Sequence, residues 1–488
     1  MNGRMIYILV MGCLLYSLYA CTPCPESVKV AEYPLVIYPD YQDVTIPYNV
    51  APLNFLLRNE GVDALSVTVK GKSDTLQINK RGYKAVFPLE RWQSLLKVEA
   101  GNFLEVTVTA RVNGEWRRYP DFFWEVVTER LDSYVSYRLI EPGYEVWNAL
   151  QIRERCIENF EERVLADNAL TGNNCMNCHV HGCNRGELSM FHLRGAGGGT
   201  VLNRNGELRK LTLKNDRMVS AAVYGDFHPS GRYGVFSSNI IIPAFHATDN
   251  RRLEVYDTTS DLVIADFDTN RIIISPLVAD TMVLETFPTF SHDGKWVYFC
   301  SAPVVALPDS VQKLRYSLCR IAFDAEHVEW GNQVDTLWNA NLMNGSVCHP
   351  KASPDGRYLL YTVADYGTFP IWHQETELQL LNLKTGEISN LKVVNSNRSD
   401  TYHSWSSNSH WFTFASKRGD GQYGRVYFCY LDTNGKEHKP FVLPQMDPER
   451  DDLILKSYNI PDLSITSVPF DANSIERISG KIEMEKFE

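Results

Sequence analysis

The chain has 488 residues, of which 44% are hydrophobic and 12% are aromatic. This composition is that of a globular protein and excludes a mainly disordered chain. The length is too great for one hydrophobic core and predicts two or three domains. The net charge of −11, without a basic cluster in the sequence, excludes nucleic acid as a partner.

The N-terminus has the pattern of a targeting segment. Arg4 precedes an apolar core over 5–19, which is too short for a comfortable membrane span, and the end of this segment, LYAC, resembles a bacterial lipobox. We expect residues 1–20 to be a lipoprotein signal peptide, Cys21 to be lipidated and 21–31 to be a tether. The protein would then be anchored in the cell envelope facing the periplasm, with the outer membrane favoured. The alternative is an uncleaved membrane anchor.

Residues 32–128 show short runs of alternating polar and apolar residues. The Asn113-Gly114 pair stands between two such runs and predicts a tight hairpin. Strands at this spacing predict a small β-sandwich, immunoglobulin-like in type. The segment contains no catalytic constellation, so we interpret it as a spacer or docking module.

Residues 129–199 change character. Glu154 and Glu158, and Asn159 and Arg163, lie four residues apart, which is typical of a solvated helical face. We therefore predict a short helical connector that leads into the Cys/His motif.

That motif is Cys175, Cys178 and His179, the C-x-x-C-H pattern of covalent c-type haem attachment. Two thiols at this spacing reach the two vinyl groups of one porphyrin edge, and the adjacent histidine binds the iron as proximal ligand. For the sixth position we expect His192 first, with Met190 and the remote His246 and His403 well behind, and an open site is the further alternative.

Two other interpretations of this segment remain open. Cys175, Cys178, His179, His181 and Cys183 could together bind a structural zinc ion. In an exported chain the cysteines could instead form disulfides.

A repeat begins near residue 200. Four segments share one strand–turn–strand pattern. Their turns are about 53 to 63 residues apart, at Gly231, Gly294, Gly356 and Ser409. They resemble the S-x-D-G repeat of TolB-type β-propellers, and this resemblance implies a propeller over 200–470, of six blades, followed by a tail over 471–488.

The repeat register also makes a prediction about the channel of this propeller. It aligns four polar positions, Asp226, Thr289, Lys351 and Ser404, and predicts that they face the central channel. His349 and His403 should lie near the mouth of that channel, either as a ligand or redox site or as hydrogen-bonded ties between blades.

The fold class we predict is therefore mainly β: an immunoglobulin-like sandwich, a helical haem-motif connector and a TolB-like propeller. The arrangement resembles exported bacterial lipoproteins that carry C-x-x-C-H ahead of such a propeller. This resemblance implies the architecture and the haem ligation. Our leading hypothesis is a lipid-anchored mono-haem c-type cytochrome, acting in electron transfer or redox sensing with a redox or envelope protein partner. The alternative is a propeller interaction scaffold with a structural zinc or disulfide segment. No paired-carboxylate or nucleophile–base motif predicts an enzyme.

Overall fold

The computed structural model describes residues 28–141, 149–195, 197–245, 253–481 and 483–488. The predicted signal peptide, Cys21 and His246 lie outside these residues. The chain is mainly β and divides into two units. The first comprises Met1–Arg130, Glu158–Phe160 and Pro444–Ile454, and the second comprises Leu131–Ile157, Glu161–Leu443 and Leu455–Glu488. Within the described ranges, no helix is long and apolar enough to cross a membrane.

The first unit contains a seven-stranded sheet, a three-stranded sheet and a helix. Its elements are β1 (Lys29–Val30), β2 (Ile37–Tyr38), β3 (Val44–Pro47), β4 (Phe55–Leu57), β5 (Val62–Lys70), β6 (Thr75–Arg81), β7 (Lys84–Ala85), α1 (Leu89–Val98), β8 (Phe103–Val112), β9 (Glu115–Arg118) and β10 (Phe122–Val127). The small sheet is β2-β4-β7. The β8–β9 hairpin turns at Asn113 and Gly114, with φ of 52° and 84°, as the Asn-Gly pair predicts.

Helix α1 lies in a region for which the sequence pattern predicts strands only. It buries Trp92, Leu95 and Leu96, which share one helical face. Glu90 in its first turn and Lys97 in its last turn complement the helix dipole. The unit therefore has two sheets, as a sandwich requires, and its immunoglobulin-like character stays a prediction.

The second unit contains six mainly antiparallel sheets, which we number as blades 1 to 6. Blades 1 to 3 contain β11 (Tyr134–Ile140), β12 (Leu150–Cys156) and β13 (Glu162–Asp167); β14 (Met176–Gly182), β15 (Arg185–Leu193), β16 (Gly199–Arg204) and β17 (Glu207–Thr212); and β18 (Ala222–Phe227), β19 (Tyr233–Phe245), β20 (Leu253–Asp266) and β21 (Arg271–Ile274).

Blades 4 to 6 follow in the same way. They contain β22 (Val283–Phe290), β23 (Trp296–Pro303), β24 (Ser317–Asp324) and β25 (Glu329–Trp338); β26 (Ser346–Ala352), β27 (Tyr358–Ala364), β28 (Glu377–Asn382) and β29 (Ile388–Ser389); and β30 (Asp400–Trp405), β31 (Trp411–Ser416), β32 (Arg425–Tyr430) and β33 (Phe441–Val442). Three short helices are α2 (Ala340–Met343), α3 (Arg450–Leu453) and α4 (Ala472–Ser479), of which α3 belongs to the first unit.

The C-terminal segment closes the ring of blades. Strand β34 (Ser457–Ser464) pairs with β11 as the innermost strand of blade 1, and β35 (Glu485–Lys486) joins blade 2 beside β17. The six inner strands contact one another in the cyclic order β34, β14, β18, β22, β26, β30 and back to β34. This radial arrangement is that of a β-propeller.

Apolar side chains fill the spaces between blades. Tyr233, Val297 and Phe323 belong to one buried cluster that joins blades 3 and 4. A second cluster, which includes Leu360 and Phe412, joins blades 5 and 6. Each sheet is therefore buried through its neighbours, which explains the long apolar runs of strands such as β31.

The predicted helical connector over 129–199 is wrong. This segment forms β11 to β15 and one 3-10 turn, Asn168–Thr171, so the propeller begins near 131 rather than 200. Glu154 is buried on β12 and pairs at 2.8 Å with Arg163 on the adjacent strand β13. The polar residues predicted to share a helical face thus include a cross-strand ion pair, Glu154 with Arg163, whose partners lie nine residues apart in sequence. The predicted tail over 471–488 is also part of this unit, as α4 and β35.

The predicted repeat turns are confirmed. Gly231, Gly294 and Gly356 have φ of 70°, 72° and 72°, and Ser409 has φ of 62° at the equivalent place. Glycine adopts this left-handed conformation without steric cost, which explains its recurrence at the turn. Ser409 adopts the same conformation while its hydroxyl accepts a hydrogen bond from the Asp355 backbone N–H of the neighbouring blade at 3.0 Å.

Candidate functional site

Each of the six inner strands contains one residue in the left-handed conformation. Their φ values lie between 47° and 59°, and the residues are Cys178, Tyr224, Phe287, His349, Tyr402 and Ile460. The register of the ladder shifts around each of them, which identifies a β-bulge. Because this conformation is rare for bulky residues, its six-fold recurrence marks a repeated feature of the fold.

These bulges surround a cavity of about 590 Å³ on the axis of the ring. All six left-handed residues line it. A bulge re-aims the side chain of its extra residue, so the six bulges present six different side chains to one space. The volume lies within the range of small-molecule and cofactor sites.

The C-x-x-C-H motif supplies the part of this cavity that belongs to blade 2. Cys175 directly precedes β14, Cys178 is the bulge residue of β14, and His179 follows it. All three line the cavity, so the structure brings the three predicted haem-binding residues together. Burial raises the pKa of the Cys178 thiol, and the nearby cations Arg194 and Arg138 oppose this rise.

His179 is the buried histidine of this motif, with 7% of its surface exposed. Neither of its ring nitrogens makes a hydrogen bond within the described residues, although a backbone group of Ser136 lies nearby. Burial lowers the pKa of His179 to about 4, so the ring is neutral at physiological pH. A neutral imidazole with unpartnered nitrogens is the form that binds a metal.

An aromatic wall covers the other side of the cavity. It consists of Tyr224, Phe287, His349, Tyr402 and Phe369, all of which line the cavity. Consecutive ring centroids from Tyr224 to Tyr402 are 4.7, 4.2 and 4.7 Å apart, and Phe369 lies 5.9 and 5.5 Å from Tyr224 and Phe287. Such a wall suits a ligand with a flat apolar face.

His349 occupies a special place in this wall. Its strand, β26, is three steps from β14 in the ring of six and therefore lies opposite the strand that carries Cys178. Its Nδ1 is buried without a hydrogen-bond partner among the described residues. Burial lowers the pKa of His349 well below its usual value. The other histidine of the cavity, His403, directs its Nε2 to the Leu360 carbonyl at 2.9 Å.

The predicted polar positions face the channel as expected. Lys351 and Ser404 line the cavity, and Asp226 accepts a hydrogen bond from the Lys351 ammonium at 3.1 Å. Thr289 also donates its hydroxyl proton to the Asp226 carboxylate. The repeat register therefore predicted this layer correctly.

His192 lies outside this cavity lining. It stands on β15 opposite Asn177 of β14, and its Nδ1 is 3.3 Å from the Thr200 hydroxyl. Met190 is buried in an apolar cluster between blades 2 and 3. The side chains of the two candidate distal ligands nearest in sequence are thus directed elsewhere in this structure.

The donors of the alternative zinc site are separated. The Nε2 of His181 lies 2.9 Å from the Ser136 hydroxyl, and the exposed thiol of Cys183 contacts the Pro229 carbonyl at 3.3 Å. Neither residue lines the cavity. Within the described ranges, no group of three or more His, Cys, Asp or Glu residues is placed to bind a metal ion, and no disulfide joins Cys175, Cys178 and Cys183.

Sequence reasoning missed the bulges and the cavity residues Arg138, Arg194 and Asp462. A signal for the bulges was present. After the left-handed residue comes proline, glycine or histidine and then the channel position, as in Phe287-Pro288-Thr289, His349-Pro350-Lys351 and Ile460-Pro461-Asp462. Cys178-His179-Val180 is the version of this tripeptide in blade 2. The two arginines follow no repeat, and only the folded chain places them together.

No protein-family model matches the chain, and no curated protein matches it. Among solved structures it is similar to a puromycin hydrolase, with a TM-score of 0.36 and 10% identity over 63% of this chain, although it spans only 45% of that protein. It is also similar to a hypothetical selenium-binding protein from Sulfolobus tokodaii, with a TM-score of 0.41 and 8% identity over 85% of this chain and 96% of the other.

A third similar structure is the β-propeller domain of the trilobed protease from Pyrococcus furiosus. The TM-score is 0.34 and the identity 10%, over 84% of this chain and 97% of the other. Similarity at this level carries no information about ligand or activity.

Proposed function

We propose that the axial cavity holds a covalently attached haem and that the protein is a mono-haem c-type cytochrome. Cys175 and Cys178 would form the two thioether bonds, and His179 would be the proximal ligand. Haem supplies reversible one-electron transfer at its iron. Electron transfer or redox sensing, with a redox or envelope protein as partner, is the role that this chemistry supports.

One observation carries this proposal: both thiols and an imidazole without hydrogen-bond partners among the described residues converge on one cavity that has an aromatic wall. Cysteine and neutral histidine are the residues that bind haem covalently and through iron. The aromatic wall would contact the porphyrin faces and exclude water from them. The donor set and its surroundings therefore fit the group.

As the second residue that would hold the haem iron we propose His349 in place of His192. His349 lines the same cavity from the opposite strand, whereas the ring of His192 is hydrogen-bonded to Thr200 outside it. Burial keeps His349 neutral, which is the protonation state of an axial ligand. The second iron-binding residue that we propose therefore lies on blade 5 and not in the segment next to the motif.

The remaining parts of the proposal concern the fold and the location. The six blades, four of which have a left-handed repeat turn, support a six-bladed TolB-like propeller. The two sheets of the first unit support an immunoglobulin-like sandwich. Lipidation of Cys21 would anchor the chain at the periplasmic side of a membrane, with the outer membrane favoured. Covalent haem attachment also takes place in that compartment.

The attachment is tested by C175A/C178A expressed together with a cytochrome c maturation system. Wild-type protein should retain haem stain after denaturing electrophoresis and show a c-type absorption spectrum, and the double variant should lose both. Cys183→Ala is the matched control, since Cys183 lies on the same segment but outside the cavity lining. Wild-type protein without haem stain, under conditions in which a reference cytochrome stains, would overturn the proposal.

A further inference from the structure

Two arginines in the cavity lack a carboxylate partner. Arg138, on β11 of blade 1, is only 9% exposed, and its Nε is buried without a hydrogen bond. Arg194 follows β15 of blade 2, and its Nε is likewise buried without a partner. Both side chains line the cavity, and both lie near enough to Cys178 to lower its pKa.

The contacts of Arg194 fix its position without neutralising its charge. Its backbone N–H donates to the Cys175 carbonyl at 2.8 Å, so the residue is tied to the start of the haem motif. Its Nη2 donates to the Tyr224 hydroxyl at 3.2 Å. This guanidinium therefore borders the aromatic wall, and its one described side-chain partner is a neutral hydroxyl.

Eight other arginines of the second unit have a carboxylate oxygen within 4.0 Å: Arg153, Arg163, Arg204, Arg209, Arg232, Arg320, Arg357 and Arg418. Arg138 and Arg194 have no such partner among the described residues, although both line the cavity. A buried guanidinium without an anion is costly, since it loses hydration without compensation.

The carboxylates near the cavity form no ion pair with these two arginines within the described residues. Asp257, buried on β20, lies near enough to Arg194 for this cation to lower its pKa, but no ion pair joins them. Glu141 pairs with Lys456 at 3.4 Å. Asp462 accepts the backbone N–H of His181 at 2.7 Å. Neither lies within ion-pair distance of Arg138 or Arg194 in the described structure. An anion from outside the chain would supply the ion-pair partner that the two guanidinium groups lack.

We infer that Arg138 and Arg194 form a carboxylate-binding pair for the ligand of this cavity. The planar guanidinium fork matches a carboxylate in a bidentate manner, and the aromatic wall beside it accepts an apolar ring. The ligand class is therefore a flat apolar molecule with peripheral carboxylates. Where the proposed function holds, on which this identification rests, the carboxylates are the two propionates of haem.

The test uses the full-length chain with C175A/C178A, which cannot retain haem covalently. Protoporphyrin IX and its dimethyl ester are titrated separately and followed by porphyrin fluorescence. The free acid should bind at least about 10-fold more tightly than the ester, because only a carboxylate forms charge-assisted hydrogen bonds with the two guanidinium groups. R138Q/R194Q should abolish this preference, and R357Q, at an arginine paired with Asp355, should preserve it.

A second probe separates this inference from the haem proposal. Trimesate, a benzene ring with three carboxylates, should raise the melting temperature of the same chain and have no effect on R138Q/R194Q. If wild-type protein has no haem but this arginine-dependent shift is present, the carboxylate pair stands and the haem proposal fails. If haem is attached while R138Q/R194Q alters neither the acid-to-ester preference nor the trimesate shift, the pair is refuted.

Discussion

The Lys351 ammonium lies 3.1 Å from a carboxylate oxygen of Asp226, although these residues belong to blades 5 and 3. Thr289, on the intervening blade 4, donates to the same carboxylate. The side chains of Lys351 and Asp226 are 28% and 16% exposed. Three consecutive blades are thus joined through one carboxylate in the channel.

Lys351→Met should therefore lower the free energy of unfolding by about 1–3 kcal/mol, because it leaves Asp226 partly buried without its cation. Urea denaturation measures the effect. Lys295→Met is the control: Lys295 is exposed, 4.0 Å from Asp293, and its loss should cost less than about 0.5 kcal/mol. Equal effects of the two substitutions would show that the channel pair adds nothing specific.

Substitution of each histidine in turn tests whether His349 or His192 binds the haem iron together with His179. In the haem-loaded protein, His349→Gln should convert a six-coordinate low-spin spectrum to a high-spin one, because the iron loses a strong-field ligand. His192→Gln should leave the spectrum unchanged, since His192 lies outside the cavity lining. Optical and electron paramagnetic resonance spectra measure both. The reverse result would return the assignment to His192.

Local sequence signals determined much of this fold and part of its site. The repeat turns at Gly231, Gly294, Gly356 and Ser409 share one left-handed backbone conformation, and they located four blades. The C-x-x-C-H spacing and the channel position of Lys351 were also readable from the sequence. These features depend on neighbours along the chain or on an exact repeat.

Features that depend on distant chain segments were not predictable. The spacing of Glu154 from Glu158 and of Asn159 from Arg163 suits a helical face, but the fold pairs Glu154 with Arg163 across β12 and β13. Blade 1 combines strands near 134–167 with β34 near the C-terminus, and no local pattern signals that partnership. Arg138 enters the cavity for the same reason, as it belongs to a strand paired with β34.

Glu285 predicts a pH dependence of stability. It is 2% exposed on β22, and burial, together with Asp261 and Asp280, raises its pKa from 4.5 to about 8. The folded state therefore binds more protons than the unfolded state between about pH 4.5 and 8. The contribution of Glu285 to stability is present below this window and is lost as the pH rises through it.

Glu285→Gln should remove this dependence, because glutamine stays neutral at every pH. The free energy of unfolding of the variant, relative to that of wild type, should increase by on the order of 3 kcal/mol from pH 5 to pH 8. Urea denaturation measures it. Glu387→Gln, at an exposed carboxylate, should change little over the same range. A pH-independent difference between E285Q and wild type would show that Glu285 is ionised in the folded protein.

Membrane attachment depends on Cys21 in our proposal. Cys21→Ser should yield an unprocessed precursor without incorporated lipid, because the acylated cysteine is the site before which the signal peptide is cut. Fractionation and labelling with radioactive palmitate measure this. A C21S protein that is still processed and pellets with membranes would contradict the lipobox interpretation.

Ring closure depends on β34, which contacts inner strands on both sides and pairs with β11. It buries Tyr458 and Leu463, which are 2% and 0% exposed. A chain that ends at Ile454 keeps the C-terminal segment of the first unit but leaves blade 1 without its inner strand. Because each blade is buried through its neighbours, we expect the whole ring to lose cooperative unfolding.

A chain that ends at Gly480 is the matched control. It keeps β34 and removes β35 with Phe487, which is 3% exposed and packs between blades 2 and 3. The loss of this side chain should lower the free energy of unfolding by about 3–5 kcal/mol, and the chain should still unfold in a single transition. Calorimetry and protease resistance compare the two chains. If the chain that ends at Ile454 still unfolds in one sharp transition, the other five blades are stable without closure by β34.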